Sequence, residues 1–167
     1  MAGLAARLVK EQLQNKQKPR LLVVGAGQMA RVLLRNLKNQ KLDICLVNRT
    51  LHNAQDLSQE HNGVTQVLPL SELQNALHQT DAAVVCTANP DYLIHPQDLD
   101  GLNTPSGLLL VDLSVPRNID PLCNQVDGVE LHDVDALQNQ INLSLEHRSQ
   151  YIAEAQSIIA EETTSFL

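Results

Sequence analysis

The sequence predicts an α/β fold in which a doubly wound parallel sheet carries helices on both faces. Short apolar runs, such as LLVV at 21–24 and GLLLVDL at 107–113, are typical of strands buried on both sides. These runs alternate with amphipathic segments, which indicates βαβ units joined by right-handed crossovers. A glycine turn directly after the first apolar run is the third observation, because such units often place a glycine turn between strand and helix.

The elements can be assigned in chain order. A helix is predicted over 1–16, where Leu4, Leu8 and Val9 share one face. Thr50 is a candidate N-cap for the helix that follows the second strand. The predicted strands cover 21–24, 42–47, 64–68, 81–87, 107–113 and 128–134, and the predicted internal helices cover 28–39, 51–61 and a segment opened by Pro69 and Ser71.

The C-terminal segment predicts one long helix, since residues 129–167 contain neither Gly nor Pro. Six of eight positions spaced by alternating steps of four and three residues are apolar, which indicates a stripe along one helix face. No stop signal closes this helix, so we expect it to continue in a longer parent or to pack on a partner. The eight positions are Ile141, Leu145, Arg148, Ile152, Ala155, Ile159, Glu162 and Phe166.

Composition excludes several classes of protein. The chain has 43% hydrophobic and 2% aromatic residues, so we expect a folded domain with an aliphatic core. A net charge of -7 argues against a general nucleic-acid surface, and the loose basic cluster at 10–20 is better explained as a solvated helix face. We find no signal-peptide-like or membrane-spanning run and predict a cytoplasmic protein with no membrane association. The six His residues show no metal-ligand spacing, so no metal is predicted.

The glycine turn has the form G-x-G-x-x-A and points to a dinucleotide. Gly25 permits the tight turn, Gly27 lets backbone approach a pyrophosphate, and Ala30 allows close packing of helix on strand. The pyrophosphate would lie at the helix N-terminus, whose N–H groups and dipole attract anions. The sequence therefore predicts a Rossmann-like domain with cofactor-binding residues Gly25, Ala26, Gly27, Gln28, Met29 and Ala30.

The second strand ends in Asn48, Arg49 and Thr50, where an NAD-binding unit normally has an acid for the ribose hydroxyl. A guanidinium forms bidentate bonds to phosphate, which a carboxylate would repel. We therefore predict that the three residues bind the 2′-phosphate of NADPH. The alternative is that Arg49 is a surface charge at the start of a helix.

Two further groups of polar residues follow predicted strands. In open α/β sheets, ligands bind at the carboxyl ends of the strands. Cofactor contacts are therefore expected from Thr87, Ala88 and Asn89 after the fourth strand, and from Asp112, Ser114 and Arg117 after the fifth. Both segments could equally be ordinary structural loops.

The three cysteines are read as structural, because none has CxxC spacing and Cys86 has no neighbouring base to activate its thiol. Cys86 is therefore expected to be a small core residue. Cys45, which lies inside an apolar run, is expected to be core as well.

These motifs together resemble the glutamyl-tRNA reductase family. The segments VVGAGQMA, VNRT, CTANP, DLSVPRNIDP and LHDVDAL occur in that order, followed by Arg148 and the tail AEAQSIIAEETTSF. The DLSVPRNIDP and LHDVDAL pair is the most specific part. The glycine turn and the NRT triplet alone would equally suit shikimate dehydrogenase.

The resemblance implies an enzyme that reduces glutamyl-tRNA(Glu) to glutamate-1-semialdehyde with NADPH, in tetrapyrrole (porphyrin and heme) biosynthesis. It implies a homodimer and glutamate-1-semialdehyde aminomutase as a partner. On this basis we predict an N-terminal helix over 1–20 packing on the nucleotide domain, an NADP-binding Rossmann domain over 21–134, and over 135–167 the start of a spinal dimerisation helix.

The chain departs from the family in three ways. The family's catalytic cysteine lies in an N-terminal domain that this sequence does not match, so we expect no catalytic residue, weak NADPH binding and no turnover by the chain alone. Cys86 replaces a small polar residue, and Asn118 stands where Asp is common. A shikimate-dehydrogenase-like domain and a non-catalytic interaction module are the alternative functions.

Overall fold

The computed structural model describes residues 1–102 and 105–165 and divides into two compact units, Met1–Val134 and the segment from Asp135 onward. The first unit alternates strands and helices along the chain, with three short 3₁₀ turns at Leu70–Glu72, Pro96–Leu99 and Pro121–Gln125. The elements are α1 (Ala2–Leu13), β1 (Arg20–Val24), α2 (Gln28–Asn36), β2 (Asp43–Asn48), α3 (Leu51–Gln59), β3 (Val64–Pro69), α4 (Leu73–Leu77), β4 (Ala82–Val85), β5 (Leu108–Asp112), β6 (Val129–Asp133) and α5 (Val134–Ser165).

The six strands form one parallel sheet in the order β3-β2-β1-β4-β5-β6. The chain order reverses beside β1, where Val24 is in register with Val47 of β2 on one side and with Val85 of β4 on the other. Connections leave this point in opposite directions, which opens a crevice at the carboxyl ends of the strands. The predicted doubly wound, Rossmann-like fold is confirmed.

The core lies around β1, β4 and β5, where Leu21–Val24 and every residue of β4 and β5 are buried. These strands carry aliphatic side chains, and burying each Leu or Val contributes roughly 1.5–3 kcal/mol. β3 and β6 are the two edge strands of this sheet, and none of their residues is fully buried.

Helix α1 packs through a face that shares only Val9 with the predicted one. Its buried residues are mainly small, whereas Leu4 and Leu8 are half-buried. Alanine side chains let the helix approach α2 and β4 closely, which larger leucines would prevent. The buried face consists of Ala2, Ala5, Ala6, Val9 and Leu13.

Several predicted element ends are also wrong. Helix α2 ends at Asn36, because the chain leaves helical geometry at Leu37, where φ is -100° and ψ is 2°. Thr50 is the N-cap residue of α3, but its side chain makes no capping hydrogen bond.

Cys45 is only half-buried rather than core, since the side of β2 that it occupies faces an open groove lined by Gln66 and Gln79.

The second unit is a single helix. Helix α5 runs for 32 residues, which confirms the predicted long helix. On its predicted stripe Leu145, Ile152 and Ile159 are exposed, and Phe166 lies outside the described residues. Across residues 1–102 and 105–165, no helix is long and apolar enough to cross a bilayer.

Candidate cofactor site

The glycine turn joins the end of β1 to the start of α2. Gly25 has φ of +110°, and its N–H donates to the carbonyl oxygen of Val47 at 2.8 Å. A Cβ atom built on Gly25 would lie 2.3 Å from the carbonyl oxygen of Cys86, well inside van der Waals contact. A side chain at position 25 would clash with the carbonyl oxygen of Cys86. Only glycine therefore allows the turn after β1 to lie this close to the end of β4.

The opening turn of α2 is open to solvent. No atom lies within 4 Å of a Cβ built on Gly27, and Gln28 and Met29 are exposed. Ala30 is fully buried, which lets the helix pack closely on the sheet, and Ala26 is half-buried. The first turn carries no acidic residue, so no side chain there opposes an anion drawn by the helix dipole.

A cleft of about 230 Å³ lies between the carboxyl ends of β2 and β4. It brings together the two triplets predicted from separate parts of the sequence, 48–50 and 87–89. Sequence reasoning missed Val24, Asn53, Leu70 and Leu93, which complete the lining, because nothing local distinguishes them from other strand, helix and loop residues. The cleft is lined by Val24, Asn48, Arg49, Thr50, Asn53, Leu70, Thr87, Ala88, Asn89 and Leu93.

The guanidinium of Arg49 bridges this cleft. Its Nη2 donates a short hydrogen bond to Oδ1 of Asn89, while Nδ2 of Asn48 donates to the carbonyl oxygen of Thr50 at 2.7 Å. The partner of Arg49 in this contact is a neutral amide, which leaves the positive charge uncompensated there. An exposed guanidinium of this kind can bind a phosphate group.

Asp112 has a different role from the predicted one. Its carboxylate is 1% exposed and accepts backbone hydrogen bonds from Ser114 at 3.0 Å, Asn118 at 2.7 Å and Ile119 at 2.8 Å. All three donors belong to the loop after β5, which contains a cis peptide bond before Pro116. The carboxylate therefore shapes this loop and presents no free oxygen edge to a ligand.

Ser114 and Arg117 also contact other parts of the protein. Oγ of Ser114 accepts a hydrogen bond from the backbone of Thr87 at 3.1 Å, and Nη2 of Arg117 lies 3.0 Å from Oδ2 of Asp133. The predicted residues thus fall into two groups. The glycine turn and the two triplets surround the mouth of the crevice, whereas Asp112, Ser114 and Arg117 secure the loop beside it.

The sequence profile of a family described as shikimate / quinate 5-dehydrogenase matches residues 7–140. The chain belongs to this family. It is also 36% identical, over 97% of its length, to a glutamyl-tRNA reductase from Thermodesulfovibrio yellowstonii, which confirms the resemblance stated above. The chain spans 38% of that relative's length.

Two solved structures show the same architecture. A glutamyl-tRNA reductase from Methanopyrus kandleri is 27% identical, with a TM-score of 0.76 over 99% of this chain and 42% of its own. The nucleotide binding domain of a glutamyl-tRNA reductase from Thermoplasma volcanium is 14% identical, with a TM-score of 0.70 over 89% of this chain and 95% of its own. The second likeness supports the fold alone.

The three cysteine thiols of this family member have raised pKa values. Burial, followed by the nearby Asp112, raises the pKa of Cys86 to about 12. Burial and Asp43 raise the pKa of Cys45 to about 11, and burial together with Asp120 raises that of Cys123 to about 12. A nucleophilic cysteine needs a lowered thiol pKa, which none of these three thiols has.

Proposed function

We propose that this chain is the NADPH-binding domain of a glutamyl-tRNA reductase. The observation that carries the proposal is the cleft in which Arg49, beside the glycine turn, faces Asn89 across the carboxyl ends of β2 and β4. Similarity to glutamyl-tRNA reductase over 97% of the chain supports the same assignment.

The residues fit a dinucleotide phosphate. The space above Gly27 is open, and α2 begins there without an acidic side chain, so a pyrophosphate could approach the backbone N–H groups of 25–30. Arg49, with Asn48 and Thr50 beside it, would hold the 2′-phosphate through charge-assisted hydrogen bonds. An acid in place of Asn48 would repel that phosphate, and this is the physical reason to propose NADPH rather than NADH.

Thr87, Ala88 and Asn89 would form the opposite wall of the same pocket. Asp112, Ser114 and Arg117 would position the loop beside the pocket rather than contact the cofactor as predicted, because each binds another part of the protein. When bound, NADPH would supply the hydride for reduction of the substrate. The protein residues would orient NADPH and bind its negatively charged phosphate groups.

The whole enzyme would reduce glutamyl-tRNA(Glu) to glutamate-1-semialdehyde for tetrapyrrole biosynthesis in the cytoplasm. Its thioester-forming cysteine would lie in a separate N-terminal domain, since the three thiols here have raised pKa values. Residues 21–134 would be the NADP-binding domain, with the helix 1–20 packed on it. Residues 135–167 would begin the helix of a homodimer, and the aminomutase that uses the product would be a partner.

A domain exchange tests this function. The 38% of the T. yellowstonii enzyme matched by this chain is replaced with the chain, and NADPH-dependent reduction of glutamyl-tRNA is measured. We expect an active chimera whose activity with NADPH, relative to NADH, falls when Arg49 is replaced by Ala. A folded, dimeric chimera with no activity would refute the assignment.

The family match favours one alternative, a dehydrogenase of the shikimate type. Oxidation of shikimate by the full-length parent with NADP⁺ would support it. The similarity to glutamyl-tRNA reductase covers more of the chain, 97%, and extends into α5.

A further inference from the structure

The buried amide of Asn118 lies at the centre of a hydrogen-bond network beside the cleft. The residue is 0% exposed, and its Nδ2 donates to the carbonyl oxygens of Asn89 at 2.9 Å and Asp91 at 3.0 Å. Its Oδ1 accepts a short hydrogen bond from Oγ1 of Thr87. The side chain therefore uses both donor hydrogens and its acceptor on the segment 87–91, of which residues 87–89 line the cleft.

The backbone of Asn118 is held equally firmly. Its N–H donates to Oδ2 of Asp112, and its carbonyl oxygen accepts from the N–H groups of Leu93 at 2.6 Å and Ile94 at 3.2 Å. Because Asp112 ends β5, the position of Asn118 is fixed relative to the sheet. The segment after β4 is therefore positioned by hydrogen bonds to both the side chain and the backbone of Asn118.

This network continues to Arg49. The side chain of Asn89 donates from Nδ2 to the carbonyl oxygen of Asp91 at 2.8 Å, and its backbone N–H donates to Oγ1 of Thr87 at 3.0 Å. With Nδ2 and the backbone fixed, Oδ1 of Asn89 points across the cleft and accepts from Arg49. Asp112, Asn118 and Asn89 thus connect the end of β5 to the guanidinium beyond β2.

We propose that Asn118 is a positioning residue that sets the guanidinium of Arg49 through Asn89 and so contributes to selectivity for a 2′-phosphate. The inference rests on the proposed function of Arg49. In Asn118→Ala the hydroxyl of Thr87 would lose its acceptor, and the carbonyl oxygens of Asn89 and Asp91 would lose their donor. Unsatisfied buried acceptors are destabilising, so the segment 87–91 would shift and the side chain of Asn89 would lose its direction.

The test compares affinities for 2′,5′-ADP and 5′-AMP, measured by calorimetry on the 167-residue chain. We expect Asn118→Ala to lower the ratio of the two affinities by about three- to tenfold, the range of one hydrogen bond. In an Arg49→Ala background the same substitution should not lower the ratio further. A matched control is Thr80→Ala, which removes a buried hydroxyl at the opposite end of β4 and should leave the ratio unchanged.

The outcomes separate this inference from the proposed function. If the unmodified chain does not prefer 2′,5′-ADP, or Arg49→Ala does not abolish the preference, the proposed function fails. If both behave as expected, only the inference is overturned when a folded Asn118→Ala keeps the ratio, weakens both nucleotides equally, or lowers the ratio further in the Arg49→Ala background.

A second variant covers the case in which Asn118→Ala does not fold. Asn89→Ala removes only the amide that reaches Arg49, because the carbonyl oxygen that accepts from Asn118 belongs to the backbone. We expect a similar fall in the ratio. An unchanged or increased ratio would mean that Asn89 is irrelevant to the phosphate or competes with it, and would overturn the proposal.

Discussion

Arg117 and Asp133 form an ion pair, with Nη2 of the arginine 3.0 Å from Oδ2 of the aspartate. The pair joins the loop after β5 to the last residue of β6. These two residues come from DLSVPRNIDP and LHDVDAL, the two segments that carry the most specific resemblance to glutamyl-tRNA reductase. Their joint occurrence in the sequence therefore has a physical basis, because they contact each other in the fold.

The first prediction concerns the strength of that pair. The side chains are 41% and 21% exposed, so water screens part of the attraction and we expect a coupling of about 0.5–1 kcal/mol. A double-mutant cycle with Arg117→Gln and Asp133→Asn, followed by urea unfolding, measures it. The control is the pair Arg7 and Glu11, whose side chains are 60% and 61% exposed and should couple more weakly.

The second prediction is that Arg49→Ala removes selectivity for the 2′-phosphate. Loss of a charge-assisted hydrogen bond should weaken NADPH binding by about 1–3 kcal/mol and leave NADH binding nearly unchanged. Fluorescence titration with both nucleotides measures the difference, and the exposed Arg35→Ala on α2 controls for net charge. An equal loss for NADPH and NADH would contradict the assignment of Arg49.

The third prediction separates two glycines of the same turn. Gly27→Ala should leave thermal stability unchanged, because the added methyl group enters open space, but should weaken NADPH and NADH alike by blocking the pyrophosphate. Gly25→Ala should destabilise the fold by about 1–3 kcal/mol, since its φ of +110° and the carbonyl oxygen of Cys86 exclude a side chain. A Gly25→Ala variant of unchanged stability, or a destabilised Gly27→Ala variant, would contradict this prediction.

The fourth prediction concerns Asp112. In Asp112→Asn the amide keeps one acceptor oxygen and loses the charge, so three buried backbone donors can no longer all be satisfied. We expect the free energy of unfolding to fall by about 1–3 kcal/mol in a denaturant titration. The same substitution at the exposed Asp127 should have almost no effect.

The fifth prediction is a pH dependence of stability and thiol reactivity. The native pKa of about 11 for Cys45 and about 12 for Cys86 and Cys123 lies above the ordinary 9.0, so the folded state holds the thiol protons more tightly than the unfolded state. This contribution to stability is fully present below pH 9 and is lost as the pH rises towards 11 and 12. Alkylation by iodoacetamide at pH 8 should be slow in the native protein and fast in urea; rapid native labelling would contradict the raised pKa values.

Much of the site was predictable because its residues follow strands. The apolar runs identified β1, β2 and β4, and parallel strands bring their carboxyl ends to one edge, so Arg49 and Asn89 were expected near the same crevice. The role of Asp112 was not predictable, because an aspartate at a strand end gives the same sequence pattern whether its carboxylate faces a ligand or the backbone of its own loop. The resemblance marked Asn118 as a departure from the family, but its role was not predictable, because its side-chain partners lie 27 to 31 residues away along the chain.

The sequence by itself determined the sheet, the glycine turn and the long C-terminal helix, because periodicity, burial and a positive φ depend on residues close together in the chain. Only the tertiary structure decided which polar groups meet. Arg49 reaches Asn89 across 40 residues, and the direction of that amide depends on hydrogen bonds from the loop after β5. A hydrogen bond requires atoms within about 3 Å at a suitable angle, and only the packed fold sets such distances.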